Sequence, residues 1–282
     1  MSETKPENRS GIKPETKPDK NSRKNVIRFA LVVSFVCSLL ISVSASGLKD
    51  RQNANIALDR RVNLLRAANL VESGKKPPGE VINTLYDAHI EDTIVDANGK
   101  ILDPDDPGAS SAMHVYLYRQ NEKIEGYILP FNSRGLWGKI QGYLAFKADG
   151  QTVSGFSVYS HSETPGLGGE IESAWFQKNF KGKKIVNSQN EFVSVGIAKG
   201  KVENLPESKK DNYVDGISGA TLTGQYLAEG IKSTLVKYDA VSVTFRQGGL
   251  IPKDMTRKEK TEKEMTEKNS EPRTSAPGAG RP

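Results

Sequence analysis

Asp215-Gly216-Ile217-Ser218-Gly219-Ala220-Thr221-Leu222-Thr223 is the stretch on which the reading of this chain turns. It combines two glycines with three hydroxyl side chains and one carboxylate. Leu222, Tyr226, Leu227, Ile231 and Leu235 follow at roughly helical spacing, which predicts a helix directly after it. Ser218 or Thr221 stands where a cap is expected. A helix start offers unpaired N–H groups and the positive end of the dipole, which suits a phosphate. Small residues beside it let a large planar ligand approach the backbone. Two readings fit these residues: an ordinary capped loop, or a ligand site.

A second string lies upstream, His161-Ser162-Glu163-Thr164-Pro165-Gly166-Leu167-Gly168-Gly169-Glu170. It follows a predicted strand, Val153 to Tyr159, and precedes a predicted amphipathic helix with Ile171, Ala174, Trp175 and Phe176. Strand, Pro/Gly-rich turn and helix together are suited to holding a phosphate or a ring. Thr164 is placed to donate to such a ligand and Leu167 to pack on it. His161 and Glu163 suggest a metal or acid–base pair, but the only other histidines are His89 and His114, too few for a zinc site. Glu163 reads better as a carboxylate that orders the loop through N–H bonds. Further upstream, Trp137 in Gly135-Leu136-Trp137-Gly138 is either a core plug or a platform beside a bound ring.

The rest of the chain frames these two strings. It has 282 residues, a net charge of +6 and one cysteine, Cys37. No internal disulfide and no cysteine-built metal site can form. Much of the Lys and Arg sits in the ends, so the charge does not point to nucleic acid. Residues 1–25 and 252–282 read as disordered polar tails. Phe29 to Leu48 carries no charge and is long enough to cross a bilayer. A transmembrane anchor over 26–48 fits better than a cleaved signal peptide, because the run exceeds a usual signal core. Arg51 to Leu70 predicts a helix ended by Gly74 and Pro77-Pro78, and Glu80 to Ile90 a shorter one. The acidic Thr93–Pro107 segment reads as a solvated loop rather than a calcium loop, since no closing Glu is in place. Strands are predicted within His114–Pro130 and over Ile140–Phe146, Phe192–Ile197 and Ala240–Arg246. The fold expected is α+β: one transmembrane helix, then a domain over 49–251.

Ser218-Gly219-Ala220-Thr221 after Asp215-Gly216 resembles the flavinylation motif of the FMN-binding-domain family. His161-x-Glu163-Thr164-Pro165-Gly166-Leu167-Gly168 and Gly135-Leu136-Trp137-Gly138 are similar to its other hallmarks. Gly169-Glu170-Ile171-Glu172, Lys181-Gly-Lys-Lys and Asn63-Leu-Leu-Arg-Ala-Ala resemble the NqrC family of the sodium-translocating NADH:quinone reductases more than the related Rnf flavoprotein. The resemblance implies FMN held covalently by a phosphoester to Thr221, with Thr223 the alternative acceptor. It implies that Asp215, Ser218, Gly219, Ala220, Trp137, Glu163, Thr164, Leu167, Gly168 and Lys199 surround the cofactor, although the stretch from Lys199 to Thr221 is longer than the family's. It implies a flavin transferase as maturation partner and other membrane subunits as working partners. It further implies a single-pass protein of the bacterial inner membrane with the flavin domain on the periplasmic side. An Rnf-type electron carrier and a tethered module that binds its ligand noncovalently are the competing readings.

Overall fold

The computed structural model describes residues 23–121 and 123–247. The tail read over 252–282, and residues 1–22 of the tail read over 1–25, lie outside those residues.

The predicted membrane helix and the helical segment after it are one element, α1 (Arg23–Ala67). It begins inside the stretch read as a tail. Its first part, through Asn55, is a compact unit of its own, and a second unit starts at Ile56. In the first unit Phe29, Leu31, Phe35, Leu40 and Ile41 are all exposed, and the helix is long and apolar enough to cross a membrane.

In the second unit α1 stops earlier than Gly74 or Pro77. Asn69 takes the left-handed conformation, φ 60°. The Leu70 N–H donates to the Leu65 carbonyl at 2.8 Å and the Asn69 N–H to the Arg66 carbonyl at 3.0 Å. This is the paired-bond helix stop that glycine usually provides and asparagine tolerates. The Asn69 amide then donates to the Ser154 carbonyl at 2.8 Å, tying the stop to the sheet.

Helix α2 (Gly79–His89) leads into β1 (Ile90–Val95). There follow β2 (Ile101–Leu102), β3 (Met113–Gln120), β4 (Lys123–Arg134), β5 (Lys139–Lys147) and β6 (Val153–Ser160). The end of β1 and all of β2 come from the segment read as an acidic loop, because Ile94 and Val95 pair with Leu102 and Ile101. The six strands form one antiparallel sheet in the order β2-β1-β3-β4-β5-β6. The two faces bury different partners. Tyr127, Leu129 and Phe131 of β4 and Leu144 and Phe146 of β5 enter the main core. Ile128, Tyr143 and Ala145, one residue out of step, enter a second core with Val62, Leu65 and Ile82 of α1 and α2. Period-two alternation thus sorts side chains between two buried faces rather than between core and water.

The main core is closed by short elements and two helices: α3 (Ala174–Lys178), β7 (Gly196–Ile197), α4 (Glu207–Lys210), β8 (Tyr213–Val214), α5 (Thr221–Lys237) and α6 (Asp239–Arg246). The predicted strand Phe192–Ile197 shrinks to Gly196–Ile197, paired in parallel with β8. The helix expected through Ile171–Phe176 splits into a 3-10 turn, Gly168–Glu172, and α3. The last predicted strand is helix α6. Its buried residues Val241, Ser242 and Phe245 have helical spacing, and Phe245 stacks on Tyr127 at 4.4 Å while the Tyr127 and Ser242 hydroxyls meet at 2.9 Å. Tertiary packing there overrides the strand preference of Val and Thr.

Helix α5 lies directly on β4. A Cβ at Gly230 would stand 2.3 Å from the Ser133 side chain, and Ser133 Oγ donates to the Tyr226 carbonyl at 2.6 Å. One turn from its start, Gly224 lets it approach Ile197 of β7. Before the helix, Asp215 accepts hydrogen bonds from the Val202 N–H at 2.7 Å and from Lys201 Nζ at 2.9 Å. Its partial burial pushes the carboxyl pKa up, but these two donors outweigh that and hold it below the usual range.

Phe156 is sandwiched by Phe180 at 4.0 Å and Phe131 at 5.3 Å between ring centroids. Phe156→Ala is expected to cost about 3–5 kcal/mol in denaturant unfolding. For Asp215 the depressed carboxyl contributes stability above the ordinary carboxylate range, and that contribution is lost as pH falls through the lowered value. The Tm gap between wild type and Asp215→Asn should therefore be open at neutral pH and close below about pH 4 in thermal melts.

Candidate flavin site

Three segments meet where α5 begins: the β4–β5 connection at Gly135–Gly138, the loop His161–Glu170, and Asp215–Thr223. A buried carboxylate joins them. Glu163 is 5% exposed. One of its oxygens accepts the Trp137 N–H at 3.1 Å and the other the Thr223 hydroxyl at 2.5 Å. Its own N–H donates to His161 Nδ1 at 3.1 Å, and His161 Nε2 reaches Glu172 at 3.2 Å. Glu163 therefore takes a backbone N–H, as its place in the string suggests, and also a threonine hydroxyl that no sequence pattern indicates. Gly135 and Gly168 make the room: a Cβ at either would stand 2.4 Å and 2.7 Å from the carboxylate oxygens.

The loop is folded around Thr164, whose carbonyl accepts the N–H groups of Leu167 and Gly169. Leu167 then projects outward, 44% exposed, over Gly219. Gly219 has φ +74°, and a Cβ there would lie 2.9 Å from a Leu167 methyl. Trp137 is 69% exposed, so it is not core mass. Leu136 and Leu222 are also exposed. Leu167 and Leu222 flank the start of α5, while Leu136 and Trp137 line an opening on the adjoining β4–β5 connection.

No side chain caps that helix. Ala220 occupies the cap position, and neither Ser218 nor Thr221 does what the sequence pattern expects of one of them. The N–H groups of Thr221, Leu222 and Thr223 are left without an intrahelical acceptor. Thr221 is exposed while Thr223 is buried, at 2% exposure. Thr221 and Lys199 line one cavity of about 250 Å³ with Ile217, Ala220 and Tyr213. Between Lys199 and Thr221 lie a 3-10 turn (Val202–Asn204), α4 and β8, and the fold brings the two residues to one cavity. Ser218 and Gly219 are exposed beside it. Asp215 is engaged with Lys201 and Val202 and braces the loop.

Leu222 departs from the expected apolar stripe: it is 50% exposed, and the buried stripe is Thr223, Leu227, Ile231 and Leu235. Nothing in the spacing warns of this, since Leu222 stands four positions before Tyr226, a regular helical spacing. An outward hydroxyl, free helix-start donors, a lysine, a left-handed glycine and an apolar rim form a set that fits FMN: donors for a phosphate, surface for a ring.

Known proteins share this sequence pattern and fold. Residues 135–236 match the family model of the FMN-binding domain. The NqrC protein of the Na(+)-translocating NADH-quinone reductase of Vibrio campbellii is 32% identical over 237 residues, covering 72% of this chain and 87% of that protein. Its counterpart in Pseudomonas aeruginosa is 32% identical over 262 residues, covering 82% and 98%. Among solved structures, the counterpart from Parabacteroides distasonis is similar with a TM-score of 0.59 and 30% identity, over 69% of this chain and 96% of that one. NqrC of Shewanella oneidensis, 20% identical with a TM-score of 0.54 over 67% and 98%, shares the fold. The chain thus belongs to the NqrC family of the Na+-translocating NADH-quinone reductases, an oxidoreductase complex, and carries that family's FMN-binding domain.

Proposed function

We propose that this chain carries FMN bound covalently through a phosphoester to Thr221 and serves as an electron carrier in quinone reduction coupled to Na+ export. The observation that carries the reading is the opposition of two hydroxyls at one helix start. Thr221 is exposed beside uncapped N–H groups, and Thr223 is buried and bonded to Glu163.

Loading is by a flavin transferase acting on FAD. Thr221 Oγ forms the new bond to the FMN phosphorus, the pyrophosphate P–O bond breaks, AMP leaves, and the hydroxyl proton passes to the transferase or to water. The resulting diester bears one negative charge, which the start of α5 and Lys199 favour. Ser218, Gly219 and Ala220 keep bulk away from the phosphate, while Thr164, Gly168, Leu167 and Trp137 form the ring's surroundings. Once bound, the flavin supplies the redox chemistry, and the protein supplies position and tuning. The working partners are the other membrane subunits. The flavin domain lies on the periplasmic side of the bacterial inner membrane, held by the first part of α1.

Expression of the full chain with the transferase should give a fluorescent band on a denaturing gel, and without it a dark one. Thr221→Val should abolish the fluorescence. A dark wild-type band with the transferase present contradicts covalent attachment, and a fluorescent Thr221→Val band transfers the role to Thr223.

A further inference from the structure

We infer that Glu163 is a positioning residue for flavin attachment, acting through Thr223. This inference rests on the reading of Thr221 as acceptor. The Glu163 carboxylate is buried, and no lysine, arginine or histidine forms an ion pair with it among the described residues. A buried carboxylate without a cation is costly unless its oxygens are well bonded. Here one oxygen takes a backbone N–H and the other a hydroxyl at 2.5 Å, in the range of charge-assisted bonds. The acid is thus satisfied only when the Trp137 segment, the Glu163 loop and the first turn of α5 are all in place.

Packing of α5 against β4 and β7 sets the facing of the helix, and this bond holds its uncapped first turn to that facing. Residues two apart on a helix point to nearly opposite sides, since each residue turns the chain by about 100°. With Thr223 held inward on Glu163, Thr221 is turned outward. Gly168 closes the same contact from the other side, because a Cβ there would stand 2.6 Å from the Thr223 hydroxyl oxygen. No side chain caps the turn, so without this bond its first residues are free to fray. The bond forming at Thr221 Oγ, with AMP as leaving group, requires that oxygen to stay in one place for the transferase.

The test measures the initial rate of flavin attachment to the full chain at limiting transferase, with a thermal melt of each variant. Glu163→Ala and Thr223→Val each remove the bond from one side. Each should slow attachment about tenfold, as expected for losing one hydrogen bond to a charged group. Because both act through one bond, the double variant should be no slower than the slower single. Thr223→Ser, which keeps the hydroxyl, should attach flavin near the wild-type rate. A merely structural loss would slow attachment only where the melt shows unfolded chain at the assay temperature, so slowing in a variant still fully folded there marks the positioning role. Should Glu163→Ala fail to fold, the nearly isosteric Thr223→Val against Thr223→Ser carries the test. Attachment at the wild-type rate by either folded Glu163→Ala or Thr223→Val overturns the inference and leaves Thr221 as acceptor untouched. A wild-type chain that takes no flavin overturns the reading beneath it instead.

Discussion

The rotation of helix α5 about its own axis is the constraint that sets the site. Gly230 admits Ser133 of β4 where no side chain would fit, and Gly224 admits Ile197 of β7. The two glycines meet strands of two different sheets, and together with the buried stripe they set the facing of the helix. Thr223, Leu227, Ile231 and Leu235 then point into the core, and Thr221 points away from it. The chemistry of the site follows from that facing: the inward hydroxyl is taken up by a buried carboxylate and the outward one remains available.

The surrounding loops are placed by the same close packing. Four glycines, at 135, 168, 219 and 224, mark points where a carboxylate or a neighbouring side chain comes closer than a Cβ would readily permit. Between these tight points the apolar side chains that find no core, Leu136, Trp137, Leu167 and Leu222, are left on the surface as a rim. Exposed apolar groups on adjoining loops are costly for a free domain and useful for one that holds a ring. The long α1 separates two tasks, with an apolar first part suited to a bilayer and a second part, from Val62 to Ala67, packed under the sheet.

Much of this was legible in the sequence because it is local. The uncharged run Phe29–Leu48 has a length that only a few structures explain, and α5 announces itself through its leucine and isoleucine spacing. The two Gly-rich strings stand out by composition, and their family resemblance ties them together. What escaped was long-range. The pairing of Glu163 with Thr223 spans 60 positions and follows from no periodicity. Asn69 ends α1 although Gly74 and Pro77 look like stronger stops, because its amide finds Ser154 on the sheet. Residues 240–246 carry β-branched side chains, yet Tyr127 selects a helix by packing against Phe245 and Ser242. The place of Lys199 also needed the fold, since the chain between it and Thr221 turns back through α4 to a shared cavity that sequence distance obscures.

A covalent bond between the outward hydroxyl and the cofactor's phosphorus would be seen most plainly in the intact mass of the full chain. The chain is purified from cells that supply the transferase and then precipitated in acid. A chain heavier by one FMN less one water is expected, with fragmentation placing the addition on Thr221. An unmodified mass, or an addition lost on acid precipitation, would refute the bond.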